Sequence, residues 1–317
     1  MSKILITGAA GFIGHFLVKE FVNDHDIVCL LRSNSKNLVR LDEFSGRIRI
    51  INHDIRQPYD NLFDELKDVE IILHAGGNPS AEASLNDPTA VVMDNVVGTL
   101  HLLELARKLP LKRFVYYSAG EIFGPIPVHT DSAETDAYNS VSPYSASKAG
   151  GEELCVAYAK AFGVPVSAIH ITNTFGQRSQ CNRLPVIAIR KLLNNEPIDI
   201  HIDRSGFVGG RRWFHAGDVA RHTRFILDNQ KTNCEKWNSS GPMWMTNQVF
   251  VEKIANVMGV QPKFNIVTTN RPGHEAYFSI TPAKLYEQGY SDCVTIEQRL
   301  QETVDWYKEN SQWLTRE

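Results

Sequence analysis

Along the first half of the chain, short apolar runs alternate with longer stretches of mixed pattern. The runs fall at 3–7, 27–31, 48–52, 70–74, 114–118 and 166–170. Continuous apolar strands of this length belong to a parallel sheet buried on both faces, and parallel neighbours need a crossover between them. The stretches 14–23, 91–108 and 144–162 have the length and pattern of crossover helices. Ser142 followed by Pro143 reads as an N-cap with proline at the first helical position, so the last of these helices should begin at or beside Tyr144. The expected fold class is α/β, a Rossmann-type doubly wound parallel sheet.

The rhythm breaks after Phe175. Segments rich in Gly, Pro, Arg and Asn, such as 207–212 and 269–274, separate the amphipathic runs 247–258 and 296–306. Residues 1–174 are therefore expected to form a dinucleotide-binding domain, to which part of 212–241 returns. Residues 175–317 should form mainly a smaller substrate-binding domain. No repeat or low-complexity tract interrupts them.

Composition narrows the partners. The 317 residues are 43% hydrophobic and 22% charged with a net charge of −3, enough for a large core and without a basic footprint for nucleic acid. No apolar run of membrane-spanning length stands out and no secretory leader is evident, so the expected location is cytoplasmic. The five cysteines are scattered and include no CxxC pair, which suits reduced thiols and no metal site.

Gly8, Gly11 and Gly14 follow the first strand and open the first helix. Glycine is required there if the backbone is to turn sharply, approach a pyrophosphate and let helix pack on strand. The spacing is GxxGxxG. The second strand ends in Arg32 and Ser33 with no carboxylate for a ribose diol, so the cofactor is NAD or NADP with a slight lean to NADP, whose 2′-phosphate the two side chains could hold. Tyr144 and Lys148 lie four residues apart and hence on one helical face. A lysine ammonium beside a phenol lowers its pKa, which would make Tyr144 a base for a sugar hydroxyl during hydride transfer.

With these motifs, the chain resembles an extended short-chain dehydrogenase/reductase of the NAD-dependent epimerase/dehydratase family. Further matching stretches are 74–77, 95–100, 173–176, 211–215 and 271–274. The resemblance implies a nucleotide-diphosphate-sugar substrate, a homodimer, and a cofactor site that also includes Phe12, Ile13, Asp54, Ile55, His74, Ala75, Gly76 and Asn95. It implies that Asn173, Arg211 and Arg271 hold the substrate diphosphate. After the fifth strand the chain departs from the family. Ala119 stands where a hydroxyl residue normally assists the tyrosine, so either the loop presents Ser118 or Tyr144 works without that partner. Glu121 matches the glutamate with which dehydratases remove the C5 proton, but their neighbouring aspartic acid is replaced by Gly120.

The leading expectation is a nucleotide-sugar epimerase acting through transient oxidation at C4. A dehydratase using Glu121, an NADPH-dependent keto-sugar nucleotide reductase, and an NAD(P)-binding sensor without turnover are the alternatives.

Overall fold

A computed structural model describes residues 1–33, 35, 37–268 and 277–316. Seven strands form the main sheet: β1 (Lys3–Thr7), β2 (Asp26–Leu31), β3 (Ile48–Asn52), β4 (Ile71–His74), β5 (Arg113–Ala119), β6 (Val166–Ile171) and β7 (Cys234–Ser239). Their order is β7-β6-β5-β4-β1-β2-β3, and every pair is parallel. The order reverses beside β1, the switch point at which such sheets open a crevice for ligand. The α/β expectation, a doubly wound Rossmann-type sheet, is met.

Each face of the sheet buries its own core. On one, Ile4, Ile6, Cys29, Leu73 and Val115 pack with α1 (Phe12–Phe21) and α5 (Ala216–Asn229). On the other, Leu5, Val28, Ile72, Phe114 and Tyr116 pack under the helical run α2 (Pro88–Ala106) and α3 (Pro143–Phe162). A third core joins α4 (Leu184–Leu193), α6 (Asn247–Met258) and α7 (Ile296–Glu309), with Trp213 stacked on Phe250 at 4.3 Å. β7 lies in the main sheet, although the chain has by then passed through the third core.

The α2 run amends one reading of the sequence. It spans 19 residues, long and apolar enough by composition to cross a membrane, but half of its apolar window is buried inside the protein. Its middle turn, Met93–Val97, is π-helical, a local widening common at functional sites.

α3 comes very close to its neighbours. Tyr116 donates from its hydroxyl to the Lys148 carbonyl at 3.0 Å. A Cβ on Gly151 would lie 2.4 Å from that hydroxyl oxygen and 2.6 Å from the Asn95 carbonyl oxygen. Glycine here lets α3 sit on the sheet and on α2 together. Gly151→Ala should cost about 1–3 kcal/mol through overpacking, read as a lower urea midpoint with an unchanged slope.

Candidate active site

The cofactor cradle begins where β1 ends. Gly8 takes φ +67°, and a side chain there would strike the Ala75 backbone at 2.8 Å. The Gly11 amide donates to the Gly8 carbonyl at 2.8 Å, closing a tight turn. A Cβ on Gly14 would fall 2.1 Å from the same carbonyl oxygen, so only glycine lets α1 start this near the strand. No side chain caps α1 and no carboxylate lies in its first turn. Its leading amides are thus oriented for an anion, while the Phe12 and Ile13 side chains pack into the core. This cradle fits a dinucleotide pyrophosphate.

Two polar side chains brace it. The Thr99 hydroxyl donates to the Asn95 carbonyl and therefore accepts from His74 Nε2 at 3.0 Å. His74 Nδ1, 2.7 Å from the Thr7 hydroxyl, then accepts. The neutral ring that this requires agrees with burial, then the nearby Lys148 charge, pushing its pKa down to about 3. His74 was expected to bind cofactor, but its ring is fully committed to joining β1, β4 and α2. Asn95 brackets residue 78, accepting from its amide at 2.8 Å and donating to its carbonyl at 3.1 Å, and it also donates to Ser147 on α3 at 2.9 Å. Ala75 and Gly76 line the turn held between these braces. Arg32 and Ser33 are exposed at the end of β2. Ile55 packs under Gly98. Asp54 binds Arg56, whose hydrogen bonds hold its carboxyl down at about 2.

The expected cap forms at α3. Ser142 accepts from the Ser145 amide at 3.1 Å, with Pro143 at the first helical position. Tyr144 enters on the first turn and Lys148 one turn later. The ammonium of Lys148 sits 4.3 Å from the centre of the Tyr116 ring, and burial lowers its pKa to about 8. The expectation that Lys148 lowers the Tyr144 pKa needs correction. Burial raises the phenol, Glu121 raises it further, and Arg183 is the cation that opposes them. Burial also raises the Glu121 carboxyl against the pull of Arg211 and Arg183. Arg211 is oriented by Asn173, to which its Nε donates at 3.1 Å, and by the Phe278 ring 4.3 Å away. The fold thus gathers Tyr144, Glu121, Arg211, Asn173 and Arg183. Arg271 lies outside the described residues.

Ser118 goes elsewhere. On β5 it shares the sheet face of Tyr116, because alternate residues point the same way. No hydrogen bond among the described residues links it to Tyr144. Its buried Oγ makes none of ordinary geometry to any described group, but lies close enough to help keep the Glu152 carboxyl ionised. Glu152 is fully buried, two turns beyond Tyr144. Its carboxylate faces His170 Nε2 at 3.0 Å, Lys236 Nζ at 3.3 Å and the Tyr138 hydroxyl. The Asn238 amide donates to the Ser132 carbonyl, leaving its oxygen to accept from His170 Nδ1 at 2.7 Å. The imidazole thus has a hydrogen-bonding oxygen at each ring nitrogen, Asn238 on one side and Glu152 on the other. Burial works against the carboxylate, yet His170, Ser118 and Tyr138 hold its pKa at about 2.

With this geometry established, comparison with known proteins places the chain. The pattern of the NAD-dependent epimerase/dehydratase family matches residues 4–238. The chain belongs to that family. It is 28% identical to the dTDP-glucose 4,6-dehydratase of Salmonella typhimurium, over 98% of this chain and 94% of that protein. A double mutant of a dTDP-glucose 4,6-dehydratase from Streptomyces venezuelae, solved with NAD, has a TM-score of 0.88 at 26% identity and 98% coverage of both chains. The UDP-glucose 4-epimerase of Thermus thermophilus, solved with NAD, shares the fold at a TM-score of 0.87 and 22% identity, over 96% of this chain and 99% of that one.

Sequence reasoning passed over Arg183 and Glu152. Arg183 precedes α4 and no spacing ties it to Tyr144. Glu152, one turn beyond Lys148, did carry a signal, since it continues the face of α3 on which Tyr144 and Lys148 lie. Glu152→Gln should cost about 3–5 kcal/mol by breaking the buried contacts of the carboxylate with His170 and Lys236. Because the folded pKa is depressed, this stabilisation is fully present above the ordinary carboxylate range and is lost as pH falls towards about 2. Acid-unfolding curves of the two proteins should therefore converge at low pH.

Proposed function

We propose that this family member is an NAD-dependent nucleotide-sugar 4-epimerase. The observation that carries the reading is at Gly120, where a dehydratase would place its aspartic acid. A Cβ there would meet the Phe278 ring at 3.2 Å and Ile280 at 3.5 Å. Apolar side chains occupy the approach to that position, so the acid needed to protonate a leaving C6 hydroxyl has neither a residue nor a polar surround. A dehydratase remains the second reading. It is favoured by the raised Glu121 carboxyl and by the dehydratase relatives.

In the proposed reaction Tyr144, whose raised pKa means that it must first release its own proton to solvent, takes the proton of the C4 hydroxyl as phenolate while that carbon is oxidised, and returns it after the sugar has turned. The nicotinamide, when bound, supplies a reversible acceptor for the C4 hydride. Lys148, charged below a pH of about 8, holds positive charge one turn from the phenol. Glu121, shifted towards its neutral form, can donate a hydrogen bond to the turning ring. Arg211, held by Asn173, and Arg271 bind the diphosphate. The reading favours NAD over NADP, supported by the related dTDP-glucose 4,6-dehydratase structures solved with NAD.

The test is incubation with UDP-, GDP-, CDP- and dTDP-sugars, with and without added NADH or NADPH. Isomer formation without net reduction supports the epimerase. A product lighter by one water favours the dehydratase, consumption of NADPH the reductase, and cofactor binding without turnover the sensor. Tyr144→Phe should lower turnover by about 10²–10⁴-fold, and near-normal rates would refute its role.

We further propose a homodimer built on α2 and α3. Val92 and Met93 are exposed on α2 and Ala146 on α3, a covering that a second copy would complete. Met93→Glu should convert the dimer to monomer in light scattering; an unchanged mass would overturn this surface.

A further inference from the structure

The pyrophosphate loop is supported from behind by a buried cation. Arg40, in the 3₁₀ turn Leu38–Phe44, is 3% exposed. Its Nη1 donates to the Ala10 carbonyl at 3.1 Å and its Nε to the Arg178 carbonyl at 3.0 Å, and its guanidinium lies 5.4 Å from the centre of the Trp313 ring. Ala10 stands within the Gly8–Gly14 loop. The peptide that joins it to Gly11 is gripped on both sides, since the Gly11 amide donates to Gly8 while the Ala10 carbonyl accepts from Arg40. Arg178 takes φ +63°, which turns its carbonyl to Arg40 while its guanidinium meets Glu43 and stacks near Trp306.

No carboxylate among the described residues pairs with Arg40. Glu43, the acid of this cluster, is taken up by His15 and Arg178. The charges acting on Arg40 are those of Arg316 and Arg178, with the Tyr307 phenol as the opposing group, and burial lowers its pKa to about 10. A buried charge with no carboxylate beside it is costly, and an anion arriving in front of it would offset that cost. The loop directly in front of it is shaped for a pyrophosphate.

We propose that Arg40 is a positioning residue whose charge is balanced by the pyrophosphate of the bound dinucleotide, transmitted through the Ala10–Gly11 peptide. The proposal rests on the reading of residues 8–14 as a dinucleotide loop. It links cofactor affinity to the C-terminal segment, because Trp313 covers the outer face of the guanidinium.

The test measures NAD affinity by calorimetry, and adenosine affinity by displacement of a fluorescent NAD analogue, for the wild type, Arg40→Met and Arg40→Lys. Arg40→Met should weaken NAD by about ten-fold or more, change adenosine less than about two-fold, and leave the melting temperature of the cofactor-free protein unchanged or higher. Arg40→Lys should recover most of the NAD affinity, since it keeps the charge. Equal losses for NAD and adenosine, or a lysine variant no better than methionine, would overturn the charge role. If Arg40→Met does not fold, Arg40→Lys alone decides: an NAD loss matched by adenosine refutes the proposal. Failure of the wild type to bind NAD would overturn the loop reading itself, whereas NAD binding insensitive to Arg40 would overturn only this inference.

Discussion

The buried contact between Glu152 and His170 is the one through which the candidate active site is assembled. Glu152 belongs to α3 and His170 to β6, so the pair fastens the helix bearing Tyr144 and Lys148 to the centre of the sheet. From His170 the network passes to Asn238 on β7 and then to the Ser132 carbonyl. The backbone of residue 132 pairs with residues 279 and 281, and this pairing sets Phe278 against Gly120 and under Arg211. One interior contact thereby connects the helix of the proposed base to the segment that lies against Gly120 and Arg211. Such a pair need not make the protein more stable than an apolar replacement would, but breaking it leaves an unpaired charge inside. Its value is in defining a single arrangement.

The same economy governs the cofactor side. Thr7, His74, Thr99 and Asn95 form a saturated chain of hydrogen bonds from β1 through β4 to α2, and Asn95 carries it on to Ser147 of α3. Buried polar groups cost little when every lone pair and proton is matched. The glycine loop, the turn at 75–77 and the first turn of the helix that bears Tyr144 are consequently held as one unit, with Arg40 behind it. Preorganisation of this kind matters for hydride transfer, where reacting atoms must meet within narrow limits of distance and angle.

The electrostatics of the site differ from those that a tyrosine and a lysine on one helical face suggest. Lys148 lies over the Tyr116 ring, and the phenol of Tyr144 responds more to its burial and to Glu121 than to that ammonium. Two acids with raised pKa values, a phenol and a carboxyl, therefore face each other across the site with Arg183 and Arg211 nearby.

Taken alone, the sequence specified what local chemistry can specify. The strands at 3–7 and 48–52, the helix at 247–258 and the Ser142–Pro143 cap follow from hydrophobic period, proline and hydroxyl chemistry, all short-range properties. The glycine triplet and the Tyr144–Lys148 spacing were legible for the same reason. Only the tertiary structure decided which side chains serve those motifs. It turned Ser118 towards Glu152, committed the His74 ring to Thr7 and Thr99, brought Arg183 to Tyr144, and set Arg40 behind Ala10. Each of these contacts joins residues far apart in the chain, and burial strengthens those of His74, Ser118 and Arg40. Neither distance nor dielectric is written in local spacing; both arise when separate elements pack into one interior.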